Sequence, residues 1–124
     1  MRAVLFISLG AVVGANARYF VGLWVADRFG VAFPFGTLMI NVSGSFLIAL
    51  VLTILTDRVV EESAWRLLLA TGFCGGYTTF STYAFEAMAL SGQGSYGPAA
   101  LYVLGSAALA LSAVVAGTLV ARLV

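Results

Sequence analysis

"GFCGGYTTFSTYAFE", residues 72–86, decides how this chain is read. It sits inside a long apolar stretch, yet Gly75 and Gly76 adjoin, Thr78 and Thr79 follow, and aromatics crowd the next turn. Glycine costs about 1 kcal/mol in a helix interior relative to alanine, and threonine is also a poor helix former. Two readings are open. Either the glycines make a simple kink for close packing, or the chain unwinds and leaves the carbonyls of the first half-helix without partners. Such carbonyls carry partial negative charge, and broken helices of this kind bind hard cations such as Na⁺. Two copies of the break, brought together across a two-fold axis, would let several carbonyls converge on one ion.

Composition places the stretch in a membrane. The chain has 124 residues, of which 62% are hydrophobic and 9% charged, and its mean hydropathy is +1.08. Soluble domains carry about 25% charged residues, so this chain lacks the surface charge that water demands. All six basic residues are arginine, histidine is absent, and a net charge of +1 gives no footprint for nucleic acid. Cys74 is the only cysteine, which excludes an intrachain disulfide, and its apolar setting points to a buried, inert thiol. No nucleophile–base pair or metal-ligand cluster suggests an enzyme.

A spanning helix needs about 20 mostly apolar residues. Residues 3–26, 36–56, 66–90 and 98–121 each meet that length, predicting a single all-α membrane domain over 1–124 with four spans, the third broken mid-membrane. Asp27-Arg28-Phe29-Gly30 closes the first span, Asp57-Arg58 through Glu61-Glu62 follows the second, and residues 91–97 follow the third. Pro34 and Pro98 stand where helices begin, where a missing N–H costs nothing. Arg2, an apolar run and Ala15-Asn16-Ala17 also match a signal peptide, but the apolar pattern resumes after Arg18. Asn41-Val42-Ser43 matches a glycosylation sequon inside a span, where it means nothing.

Small residues recur at helical spacing, which lets helices approach closely in lipid. Gly10, Gly14 and Gly22 share one four-residue repeat with Arg18, and Thr37, Asn41 and Ser45 share another. On the fourth span Ser106, Ala110, Ala113 and Gly117 keep one face. So much close-packing surface suggests a homo-oligomer, most simply a dimer; packing within one bundle is the alternative. Intramembrane ionisable residues are functional hypotheses by default. Arg18 either snorkels to an interface or lends a fixed charge that draws anions into a vestibule. Glu86 is expected to form an ion pair or cap a neighbouring helix. Asn41, too short to snorkel, bonds a neighbouring helix or faces a polar pathway. Phe80 and Tyr83, three apart, share a helix face. They are core residues, or their positive ring edges hold a dehydrated anion together with the hydroxyls of Thr79, Ser81 and Thr82.

These residues carry a resemblance. "GAVVGANARY", "FGTLMINVSGSF", "GFCGGYTTFSTYAFE" and the tyrosine and serine of the fourth span together resemble the Fluc fluoride channels, the CrcB-type camphor-resistance proteins, over essentially the whole chain. The resemblance implies four-span subunits assembled as antiparallel, dual-topology homodimers in the bacterial inner membrane. It implies passive fluoride export with rejection of chloride, through two pores along the subunit interface, around a central structural Na⁺. Gly75 and Thr78 then match the carbonyl donors to Na⁺. Phe80 matches the first pore aromatic, Asn41 the pore-facing amide, and Tyr102 and Ser106 the start of a polar track.

Two positions depart from that pattern. Tyr83 stands where the family has phenylalanine, adding a hydroxyl that can itself donate to the anion. Ala110 stands where a serine is expected on the fourth-span track, and Ser112 points elsewhere on a helix of about 3.6 residues per turn. Arg2, Arg58, Arg66 and Arg122 fall on one side of the membrane against Arg28 on the other. Dual insertion prefers almost no such bias, so either these few charges do not decide, or the subunit pairs with an oppositely oriented relative. The rival reading is a small multidrug exporter, which wants a carboxylate in mid-chamber; the first span carries Arg18 instead.

Overall fold

A computed structural model describes residues 1–57 and 64–123; the connector with Arg58, Glu61 and Glu62 lies outside them. Five helical segments succeed one another. They are α1 (Arg2–Phe29), α2 (Phe35–Asp57), α3, α4 (Phe80–Gly92) and α5 (Tyr96–Ala121). Helix α3 is a π-wound stretch, Arg66–Cys74, that continues into an α-helical turn, Gly75–Tyr77. No strand occurs among the described residues.

Three of these helices, α1, α2 and α5, are long and apolar enough to cross a membrane, with mean hydropathies of 1.6, 2.3 and 2.1. The third span, expected to be broken, is two shorter pieces, α3 and α4, joined at Thr78–Thr79. The ends follow local chemistry. Helix α1 runs through Asp27-Arg28-Phe29 and stops at Gly30, whose φ of 74° suits a residue without a Cβ. Arg28 then lies over the Trp24 ring at 5.7 Å. The Pro34 carbonyl accepts the first bond of α2, from Leu38 N–H at 3.2 Å, and Pro98 sits in the first turn of α5.

The break falls later than the glycines suggested. Gly75 is helical, with φ −64° and ψ −36°, and the backbone departs only at Thr78 (ψ 159°) and Thr79 (φ −151°, ψ 115°). β-Branched threonine accepts extended backbone readily. The glycines of this region serve approach between helices. A Cβ on Gly72 would stand 2.9 Å from the Gly10 Cα, and one on Gly76 would stand 2.7 Å from the Ala11 carbonyl oxygen. Reciprocally, a Cβ on Gly10 or Gly14 would collide with the carbonyls of Leu68 and Phe73. The first-span stripe is therefore met inside the chain, Gly10 and Gly14 by α3 and Gly22 by α2, and helix α1 passes unbroken through Ala15-Asn16-Ala17. Gly117 likewise lets α5 meet α2 at Phe46 and Ala49.

Polarity is arranged inside out. Buried positions are mostly small or polar (Ala49, Ala70, Ala99, Thr37, Thr79, Ser106), while Leu, Val and Phe side chains cover the outside. Water would reverse that order; lipid permits it. Helix α2 packs mainly on α5 and α1 on α3, whereas α4 rests on α5 over a smaller contact.

Candidate anion pathway at the helix break

The geometry of the break follows from diverted hydrogen bonds. In a continuous helix the Gly75 carbonyl would receive Thr79 N–H, and the Thr78 carbonyl would receive Thr82 N–H. Here Thr79 N–H donates to Asn41 Oδ1 at 2.8 Å, and Thr82 N–H donates to Thr79 Oγ1 at 3.3 Å, the N-cap of α4. Asn41 completes the exchange by donating Nδ2–H to the Thr79 carbonyl at 3.0 Å. One carboxamide thus satisfies both backbone groups of an extended residue, as a neighbouring strand would. Asn41 thus bonds a neighbouring helix, and it also lines the cavity beside the break.

Arg18 donates Nη1–H to the Thr78 carbonyl at 3.1 Å. It is half-buried, with its charge turned to the carbonyl end of α3, where the helix dipole favours a cation. Thr78 Oγ1 donates back to the Cys74 carbonyl at 2.9 Å, beside the Thr78 N–H that the same oxygen accepts at 3.0 Å.

Beside the break lies a cavity of about 320 Å³ lined by Asn41, Ser45, Thr78, Thr79, Phe80, Tyr83, Ser106 and Ala110, among others. Ser81 and Thr82 are exposed on the first turn of α4, and their hydroxyls gather on Thr79 Oγ1, at 3.3 and 3.0 Å. Phe80 and Tyr83 rings are 5.5 Å apart, Tyr83 lies 5.2 Å from Tyr102, and Tyr102 meets Phe33 edge-on at 5.5 Å. Phe80 is 79% exposed in the single chain. Ser106 Oγ is buried and has no hydrogen-bond partner among the described residues. Ala110 lines the cavity, and Ser112 turns its hydroxyl to the Ala108 carbonyl of its own helix.

Tyr102 is placed differently from its neighbours. It is 1% exposed, and its hydroxyl donates to Glu86 Oε2 at 2.7 Å. Glu86 Oε1 accepts from Thr37 Oγ1 at 2.9 Å. Among the hydrogen bonds of the described residues Glu86 therefore neither caps a helix nor pairs with a cation; it binds two hydroxyls and ties α2, α4 and α5 together. Sequence reasoning missed this cluster, whose hydrogen-bonded pairs lie 49 and 16 positions apart. The one available signal was a carboxylate inside a span. Glu86 and Thr37 also line a second cavity of about 330 Å³, closed by residues 30–34 and Gln93.

Comparison with known proteins identifies the family. The profile of the family described as CrcB-like protein, Camphor Resistance (CrcB), matches residues 5–118. A Koribacter versatilis protein named "Fluoride-specific ion channel FluC" is 50% identical over 121 residues, covering 97% of this chain and 96% of its own. Proteins of the same name from Chloroflexus aurantiacus and Synechocystis sp. are 46% and 44% identical, over 94% and 98% of this chain and 93% and 94% of theirs. With its apolar helices, the chain is a multi-pass membrane protein of bacterial type. It belongs to the CrcB-like family.

Proposed function

We propose that this chain is the subunit of a passive fluoride channel that lets the anion leave the cytoplasm. The observation that carries the reading is the cavity at the break, which brings aromatic rings, hydroxyls and an amide to one place without a carboxylate. Its relatives named as fluoride-specific channels support the choice of ion. Aromatic edges are electropositive, the first turn of α4 adds hydroxyls and the positive end of a helix dipole, and Arg18 adds charge nearby. Each is weak alone, and conduction requires sites weak enough to leave. Glu86, the feature a cation exporter would need in its chamber, has both oxygens engaged by hydroxyls and does not line this cavity.

The pathway takes Asn41, Thr79, Phe80, Ser81, Thr82 and Tyr83 at the break, then Ser106 and Tyr102 along α5. A second, antiparallel copy would cover the exposed face of α4, where Phe80, Phe85 and Met88 stand more than two-thirds exposed, giving two pores per dimer. The released carbonyls of Gly75 and Thr78 fit a central Na⁺. Arg18 uses one lone pair of Thr78, and a carbonyl has two. When bound, the ion would neutralise converging carbonyl dipoles at the two-fold axis.

The test is fluoride against chloride efflux from liposomes holding the purified protein, with external Na⁺ or N-methylglucamine. Fluoride efflux alone is expected. Equal chloride efflux, or dependence on a proton gradient, would remove the channel reading. Indifference to Na⁺ in both flux and thermal stability would remove the cation.

A further inference from the structure

We infer that Tyr83 is a positioning residue whose hydroxyl clasps α4 to α5 and does not donate to the anion. The proposal rests on the pathway reading above and assigns the oxygen by which this chain departs from a phenylalanine. A phenol has a single proton to donate. In this structure Tyr83 gives it to the Val103 carbonyl, at 3.1 Å. An anion arriving at that hydroxyl would meet lone pairs rather than a donor, so the oxygen is the end of the side chain that repels it. The ring remains available, since Tyr83 lines the cavity at the break.

The bond also does something a phenylalanine cannot. Helix α4 rests on α5 over a small contact, and two side-chain hydrogen bonds among the described residues join them. One is Tyr83 to Val103 and the other is Tyr102 to Glu86. Position 83 advances to 86 along α4 while 103 retreats to 102 along α5, so the two bonds fix an antiparallel register. Between them Tyr83 stands as the middle ring of a series, 5.5 Å from Phe80 and 5.2 Å from Tyr102. The hydrogen bond pins the far end of the ring, on whose long axis the oxygen lies. The clasp therefore sets where the Tyr83 ring stands beside the cavity, and with it the spacing from Phe80.

The decisive experiment places 3-fluorotyrosine at position 83 of the full chain and compares it with Tyr83→Phe. The fluorinated phenol is a stronger donor. If the proton belongs to Val103, added fluoride or chloride leaves the ¹⁹F spectrum unmoved. Tyr83→Phe then loses about fivefold in fluoride-over-chloride ratio, the equivalent of one neutral hydrogen bond. The clasp is overturned by a saturable ¹⁹F shift with fluoride, by faster efflux with the stronger donor, or by a ratio that Tyr83→Phe leaves unchanged. A wild type that passes no fluoride overturns the channel reading instead, while the unmoved ¹⁹F spectrum would still support the clasp.

Discussion

Replacing Asn41 by alanine removes both hydrogen bonds that hold Thr79 in its extended conformation, 2.8 Å to the N–H and 3.0 Å to the carbonyl. Thr79 is buried, so neither backbone group finds water in exchange. Each orphaned group costs about 1–3 kcal/mol, giving about 2–6 kcal/mol for the variant. The loss falls on the break itself, because the two neighbouring helical pieces keep their own bonds. It should therefore appear first as local opening. At about 1.4 kcal/mol per tenfold, the Thr79 amide should exchange with deuterium at least about 30 times faster than in wild type. Amides in the middle of α2 and α5 should change little. Asn41→Asp separates the two halves of the interaction. An ionised carboxylate still accepts Thr79 N–H, but it turns an oxygen toward the Thr79 carbonyl where a donor stood. Amide protection at Thr79 should then largely survive while fluoride efflux falls with that of the alanine variant. Residue-resolved hydrogen exchange in detergent micelles, read beside liposome efflux, measures both. If Asn41→Ala leaves Thr79 exchange as slow as in wild type, the carboxamide is not what holds the break open, and the argument for the freed Gly75 carbonyl goes with it.

Other substitutions test the rest of the frame. Gly14→Val should cost several kcal/mol, seen as loss of folded protein on gel filtration, because its Cβ meets the Phe73 carbonyl. Gly105→Ala, with open space at its Cβ, should be neutral or gain up to about 1 kcal/mol in helix propensity, and serves as the control. Glu86→Ala should lower thermal stability more than Glu86→Gln, since the glutamine carbonyl can still accept from one of the two hydroxyls and the other can rotate. Phe80→Ile should suppress fluoride efflux while the protein elutes as before; normal conduction would return that ring to a packing role.

What could be read from the sequence divides along a physical line. Helix existence was legible because lipid imposes it, and runs such as 36–56 have no soluble alternative. The place of the break was less so. Gly75 and Gly76 are weak helix formers on any scale, yet both stay helical, and only Gly76 closes on α1, at Ala11, where a side chain would not fit. The small-residue stripes announced close contact without naming a partner. A repeat of glycines looks the same whether it meets a second copy or another helix of its own chain, and Gly10 and Gly14 meet α3. The π winding of residues 66–74 has no composition that marks it. The cluster of Thr37, Glu86 and Tyr102, the Arg18 bond to Thr78 and the Tyr83 bond to Val103 depend on which helix faces which. Periodicity along one helix cannot supply that.

The contact between α1 and α3 has a mechanical consequence. Where two helices meet through side chains, rotamers can shift and the pair can slide or tilt. Where they meet backbone to backbone, as at Gly10 and Gly72, no soft layer lies between them and they can only travel together. The compliance of the chain is thereby concentrated in α4, which hangs from the extended pair Thr78–Thr79 as from a hinge and is restrained by three hydroxyl bonds to α2 and α5. Any motion that widens or narrows the cavity should be a swing of that short helix against an otherwise stiff block.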